Sequence, residues 1–399
     1  MPDGTSTPSS ITAEGWLTDS WYFACASRSL QPGQHFRRVI LGQPVLLGRS
    51  PIKDGKDGKD GKDGKDGKDG KDGKDGKDGK DGRAGKGGEA FALRDICPHR
   101  LVPLSHGQQI ETDGEATIQC AYHGWRFGTD GVCRLMPSLV SPDAYPTDKV
   151  KVRRYPLHEA NGMIFIYVAD NPRSEDPPAV PPPRFDLAAG EQPKFFVVDH
   201  FNAHMDDAVV GLMDPAHVPF VHNQWWWRPP STGLRLKEKP FEPIERGWRI
   251  ARHQPSGNSL AYKALLGSEV TTEIAFQIPG FRWEIVEAKK ARIFTLTCLT
   301  PVGPKRTRIT QITYWQNAPL LDLAMPILIP AAQTFLGQDG HMVNLQNQGM
   351  AYQKAMLWID DIDVQAKWYL TLKKEWAAAR SEGRAFANPI EPRTLRWRS

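Results

Sequence analysis

Cysteine is scarce: Cys25, Cys97, Cys120, Cys133 and Cys298 are the five in 399 residues. So few, and an odd number, make a poor disulfide framework and point to reduced or metal-bound thiols in a reducing compartment, with the cytoplasm as the expected location. Long apolar runs are also missing. The most apolar, APLLDLAMPILIPAA at 318–332, is shorter than the roughly 20 residues of a spanning helix and contains Asp322, Pro326 and Pro330. No transmembrane segment is expected; the run is read as a buried helix, with peripheral membrane contact as the alternative. Residues 1–17 have no apolar core and no Lys or Arg precedes Arg28, so they are read as a flexible tail rather than a secretory signal or transit peptide. The net charge of +5 comes from 51 basic and 46 acidic residues, and setting aside the ten of each in one repeat leaves 41 against 36 with no basic stripe. Nucleic acid is therefore not an expected partner. No Gly-rich dinucleotide loop is visible.

A hydrophobic content of 40% supports one large domain or two ordinary ones. Residues 53–82 are ten copies of Lys-Asp-Gly. Glycine at every third position is a collagen-like spacing, but the repeat lacks the proline that stiffens such chains, so a solvated, disordered hairpin insertion is expected. Apolar strand-like segments flank it on both sides. The chain divides into a short-stranded all-β module at 18–170, a Pro-rich linker at 171–185, and a second domain at 186–399. The second domain alternates apolar and polar residues from about 233 to 315 and becomes mostly helical over the last 80 residues. The expected fold class is α+β, with a large antiparallel sheet in the second domain.

Cys97-x-His99 is followed, after twenty residues, by Cys120-x2-His123. Two thiolates and two imidazoles suit tetrahedral zinc, or a [2Fe-2S] cluster with both cysteines on one iron and both histidines on the other. Iron is favoured by the tight Cys-x-His spacing, by Gly124 after the last histidine, and by apolar and aromatic neighbours. Further on, MDPAHVPFVH places His217 and His222 five apart, about 140° around a continuous helix and wrong for one ion. Pro219 interrupts the helix, so His217 is read as ending one segment and His222 as belonging to the next. Asp214, three before His217, is placed to accept its second ring N–H. Two histidines and a carboxylate make the facial triad of non-haem Fe(II). Residues alone leave the carboxylate open between Asp339 and the WIDDID group, Asp360, Asp361 and Asp363.

CPHR with CAYHGWRF, and DPAHVPFVH downstream, resemble the Rieske non-haem iron oxygenases over nearly the whole chain. The resemblance implies an all-β Rieske [2Fe-2S] domain held by Cys97, His99, Cys120 and His123, then a helix-grip, START-like catalytic domain. It implies mononuclear iron on His217, His222 and Asp339, the last because its surroundings resemble the ligand segment of the demethylase and chlorophyll-related branch. It further implies O2 as co-substrate, a small-molecule substrate, a separate NAD(P)H-dependent flavin reductase or ferredoxin, and a homotrimer in which Asp214 links the two metal sites of adjacent subunits. Hydroxylation or demethylation is expected rather than cis-dihydroxylation; a Rieske-type electron carrier without catalytic iron is the alternative. One departure is recorded: Val210 and Gly211 stand where the family often has acidic or amide residues.

Overall fold

The computed structural model describes residues 15–52, 88–141, 144–222, 233–254, 269–353 and 356–399. The Lys-Asp-Gly repeat, most of the N-terminal tail and Trp225 to Trp227, read as core or an entrance lining, lie outside them. The strands flanking the repeat, Gln43–Arg49 and Ala90–Arg94, pair antiparallel with Arg49 opposite Ala90. The intervening segment therefore joins neighbouring strands of one sheet. Such an insertion is tolerated because loop-closure entropy grows only logarithmically with length.

Among its described residues the N-terminal module holds three antiparallel sheets. One sets Ser20–Ala26 beside Met163–Val168 and Leu157–Ala160, the second sets His35–Ile40 beside the repeat-flanking pair, and the third runs from Gln108–Thr112 to Cys133–Leu135. Leu46, Phe91, Leu104, Ile118 and Phe127 form a small core that includes Cys97 and Cys120. Among the described residues the second domain is built on an eight-stranded antiparallel sheet. The alternating stretch forms its middle, but both edges come from elsewhere: Phe195–Phe201 pairs with Arg306–Gln316, and Arg393–Arg398 pairs with Leu236–Ile244. The last 80 residues are thus not purely helical; the chain returns to the sheet.

Residues 171–185 form no regular element, yet Phe185 places its ring among Phe165 of the first module and Phe281 and Phe294 of the second. The modules also meet directly, with Thr300 donating to Phe23 O and Trp376 Nε1 donating to Thr18 O.

Among the described residues the second domain is completed by the helices α1 (Met205–Met213), α2 (Val218–Val221), α3 (Pro319–Met350) and α4 (Val364–Ser381). Two expectations are corrected here. The first helix ends at Met213 rather than at Pro219, because Asp214 precedes Pro215 and is forced to extended backbone (φ −64°, ψ 120°). Pro219 sits instead in the first turn of α2, where its missing N–H costs nothing. The run at 318–332 is not a buried helix: it opens the 32-residue α3, with Leu320, Leu323 and Ile327 at 60%, 80% and 74% exposure. By length and composition alone α3 could cross a bilayer. Its C-terminal half, however, carries Gln338, Asp339, Asn344 and Asn347, and is tied to the edge strand by Asn347 donating to Asn202 O and by Asn202 N–H donating to Asn344 Oδ1.

Candidate metal centres

The two Cys-His loops are built alike. In each, the residue four after the cysteine turns left-handed and donates its N–H back to the cysteine carbonyl: Leu101 (φ +60°) to Cys97, Gly124 (φ +70°) to Cys120. In each, the cysteine N–H closes the loop on the next carbonyl, Val102 or Trp125. Glycine suits that conformation at no steric cost; Leu101 occupies it against the preference of an L side chain, by roughly 1–2 kcal/mol.

The loops bring both sulfurs into a dry interior, Cys97 and Cys120 each 2% exposed, with the Cys120 thiol close enough to act on that of Cys97. Burial pushes the Cys97 thiol up to about 11, and the neighbouring Cys120 adds to this, while the backbone N–H groups of His99 and Arg100 point at the sulfur and pull the other way. Amides aimed at sulfur are what an anionic iron–sulfur site uses. The rings of His99 and His123 lie side by side with centroids 4.5 Å apart, and Trp125 stacks on His99 at 4.6 Å. His99 Nδ1 is buried without a hydrogen-bond partner, an orphaned lone pair of the kind a metal would take. The residues therefore fit a [2Fe-2S] cluster with two sulfur and two nitrogen ligands. Cys25, Cys133 and Cys298 are buried free thiols, as expected.

The second constellation assembles from two helices. His217 caps the start of α2, His222 caps its end, and α3 delivers Asp339. Asp339 Oδ1 is 3.3 Å from His217 Nε2 and 3.0 Å from His222 Nε2, and the three donor atoms lie within 4.8 Å of one another. Ligands bound at about 2.1 Å to one ion, roughly at right angles, sit about 3.0 Å apart, so the spacing fits a metal. His222 is 1% exposed and Asp339's side chain 11%. Burial alone would lower the His217 pKa, but the Asp339 carboxylate, helped by Asp214, raises it above its usual value. Burial likewise opposes ionisation of Asp339, yet the two histidines hold it below the usual carboxylate range. An ionised carboxylate facing two imidazoles is a donor set for a divalent cation.

Asp214 lies beside His217 but without a hydrogen bond: its Oδ2 is 3.9 Å from Nδ1, and its Oδ1 accepts the Ala216 N–H. The rival carboxylates are engaged elsewhere, Asp360 with Lys367, Asp361 with Arg393, and Asp363 accepting the Ile359 N–H. His204 caps α1 by accepting the Asp206 N–H, and His106 and His341 are exposed. Two residues at the site went unread in the sequence: Gln338, whose Oε1 is 2.9 Å from His222 Nδ1, and Phe335, stacked on the His222 ring at 3.5 Å. Phe335 is one helical turn before Asp339, so its placement on the same face was available from spacing alone.

Comparison with known proteins agrees with this geometry. Residues 20–156 match the Rieske [2Fe-2S] domain, and residues 201–373 match the vanillate O-demethylase oxygenase C-terminal domain. The fold and its two candidate sites thus define a two-domain iron oxygenase. Chlorophyllide a oxygenase, chloroplastic, of Arabidopsis thaliana is 36% identical over 293 residues, covering 68% of this chain and 50% of that protein. The 5,5'-dehydrodivanillate O-demethylase oxygenase subunit of Sphingobium sp. is 29% identical over 149 residues, covering 37% of this chain and 32% of the other. The structure of dicamba monooxygenase bound to dicamba superposes with a TM-score of 0.62 at 22% identity, over 90% of this chain and 98% of that one, a likeness of fold. The chain spans about half or less of the length of the curated relatives it matches. It belongs to the Rieske oxygenase family. That membership implies a Rieske cluster, a mononuclear iron and O2 as co-substrate.

Proposed function

We propose that this chain is the oxygenase component of a multi-part system, taking electrons from a separate NAD(P)H-dependent flavin reductase or ferredoxin. Its reaction is hydroxylation, or O- or N-demethylation, of an apolar, cyclic or aromatic small molecule. The observation that carries the reading is the convergence of His217, His222 and Asp339, in a chain that also holds two matched Cys-His loops. When bound, the cluster supplies single electrons and the iron activates O2 at positions that three protein ligands leave open. Asp339 contributes the negative charge that offsets a divalent ion, and Asp214 adds a second negative charge beside His217.

Demethylation or monooxygenation is favoured over cis-dihydroxylation by the match of residues 201–373 to a demethylase C-terminal domain and by the relative named as an O-demethylase subunit. The assembly we propose is a homotrimer in which Asp214 joins His217 to His123 of the partner subunit. In support, His123 is exposed and the Asp214 side chain is 37% exposed, so both face outward from the isolated chain. Three buried free thiols and two cysteines that fit a cluster favour a reducing compartment, and the cytoplasm is the proposed location.

The test is incubation of purified protein with NADH, a surrogate reductase and ferredoxin, 18O2 and a panel of methoxylated and cyclic apolar compounds. Substrate-dependent 18O in a product, or formaldehyde release, supports an oxygenase. A cluster that is reduced and reoxidised with no product from any compound would favour the electron-carrier reading.

A further inference from the structure

His222 is held at both ring nitrogens by one helix. Asp339 of α3 faces its Nε2 at 3.0 Å, and the preceding residue, Gln338, places Oε1 2.9 Å from its Nδ1. His222 is 1% exposed, so water is not available to satisfy Nδ1 if Gln338 is removed. Phe335 closes the ring face, its plane within 12° of the imidazole. The other triad histidine differs: His217 Nδ1 is buried with no hydrogen bond.

We propose that Gln338 is a positioning residue for the mononuclear metal. Its amide oxygen accepts the Nδ1–H of His222, which fixes the tautomer whose lone pair is on Nε2 and aims that lone pair at the point Asp339 faces. Because Gln338 and Asp339 are adjacent on α3, one helical segment sets both a ligand and the orientation of another. The inference rests on the reading of His217, His222 and Asp339 as a metal triad, and its test separates the two.

The test uses the full-length protein with its cluster intact and the mononuclear site emptied by chelation, titrated with Co2+, which shares the ligand preferences of Fe2+. Gln338→Met removes the acceptor at similar length; Gln338→Glu keeps an acceptor in place. Gln338→Met is expected to weaken Co2+ binding about 10- to 100-fold, the range for partners of metal-bound histidines. The Glu variant should restore binding to within a few-fold of wild type, with the cluster absorption of both variants unchanged and the Tm of the Met variant lowered by no more than the few degrees that one unpaired buried N–H costs. Should the Met variant not fold, Gln338→Ala is read the same way. Wild-type affinity in the Met or Ala variant, or a Glu variant as weak as they are, would overturn the proposal while leaving the triad. Failure of the wild type itself to bind Co2+ would overturn both.

Discussion

Replacing Gly211 by alanine would add one methyl group where α1 and α3 touch. A Cβ built on Gly211 lies 2.6 Å from Val343 Cγ2, whereas ordinary contact begins at 3.4 Å, so the helices must separate by about 0.8 Å or Val343 must turn. Turning is costly: Val343 is helical, 3% exposed, and a β-branched side chain has one favoured rotamer in a helix. Overpacking of this kind costs about 1–3 kcal/mol, and alanine's better helix propensity returns about 0.5–1 kcal/mol. The difference is a net loss of up to about 2.5 kcal/mol. The larger consequence is at the metal, since Asp339 lies one turn before Val343 on the same face of α3. Metal distances tolerate only about 0.2 Å, so a displacement several times larger is expected to weaken Co2+ binding at least about tenfold. Adding Val343→Ala removes the clashing methyl, and the double variant should recover metal affinity even if it melts lower. Thermal melts and Co2+ titration of the wild type, both single variants and the double variant form a complete cycle. A Gly211→Ala protein with unchanged Tm and unchanged affinity would refute the claim that this contact seats α3.

Asp214→Ala should keep the cluster's colour and most of the iron yet lose most turnover, because in the proposed trimer Asp214 carries the link between the two metal sites; normal product formation would remove Asp214 from the electron path. Asp206 accepts two hydrogen bonds from Lys373 and one from Tyr369, tying α1 to α4. With the Lys373 side chain only 9% exposed, Asp206→Ala is expected to cost about 3 kcal/mol by stranding that charge, and Asp206→Leu with Lys373→Met to recover much of it. Denaturant midpoints check both, and an unchanged midpoint for Asp206→Ala would contradict the account.

The Cys-His loops were legible because their four residues lie within one short stretch and the chemistry leaves few uses for that spacing. His217 and His222 are legible as a pair, but the helix break that the sequence suggests between them at Pro219 lies before both, at Asp214–Pro215, and the two histidines cap the ends of one short helix. Asp339 is separated from His222 by a whole sheet, and nothing local distinguishes it from Asp360, Asp361 or Asp363; only the resemblance selected it. The fold distinguishes them physically, by giving the other three partners of their own. The apolar run opening α3 was misread because composition reports how apolar a helix is and not which side it turns to the core. The edge strands escaped for a related reason: Phe195–Phe201 and Arg393–Arg398 stand apart from the alternating stretch, and only tertiary pairing joins them to it.

The most direct test of the account is total iron, zinc and acid-labile sulfide per chain, measured on wild type and Asp339→Ala purified without oxygen. About three irons and two sulfides are expected for the wild type, and about two irons and two sulfides for the variant. A variant that keeps its third iron would move the ligand away from Asp339, and zinc without sulfide would contradict the reading of both centres.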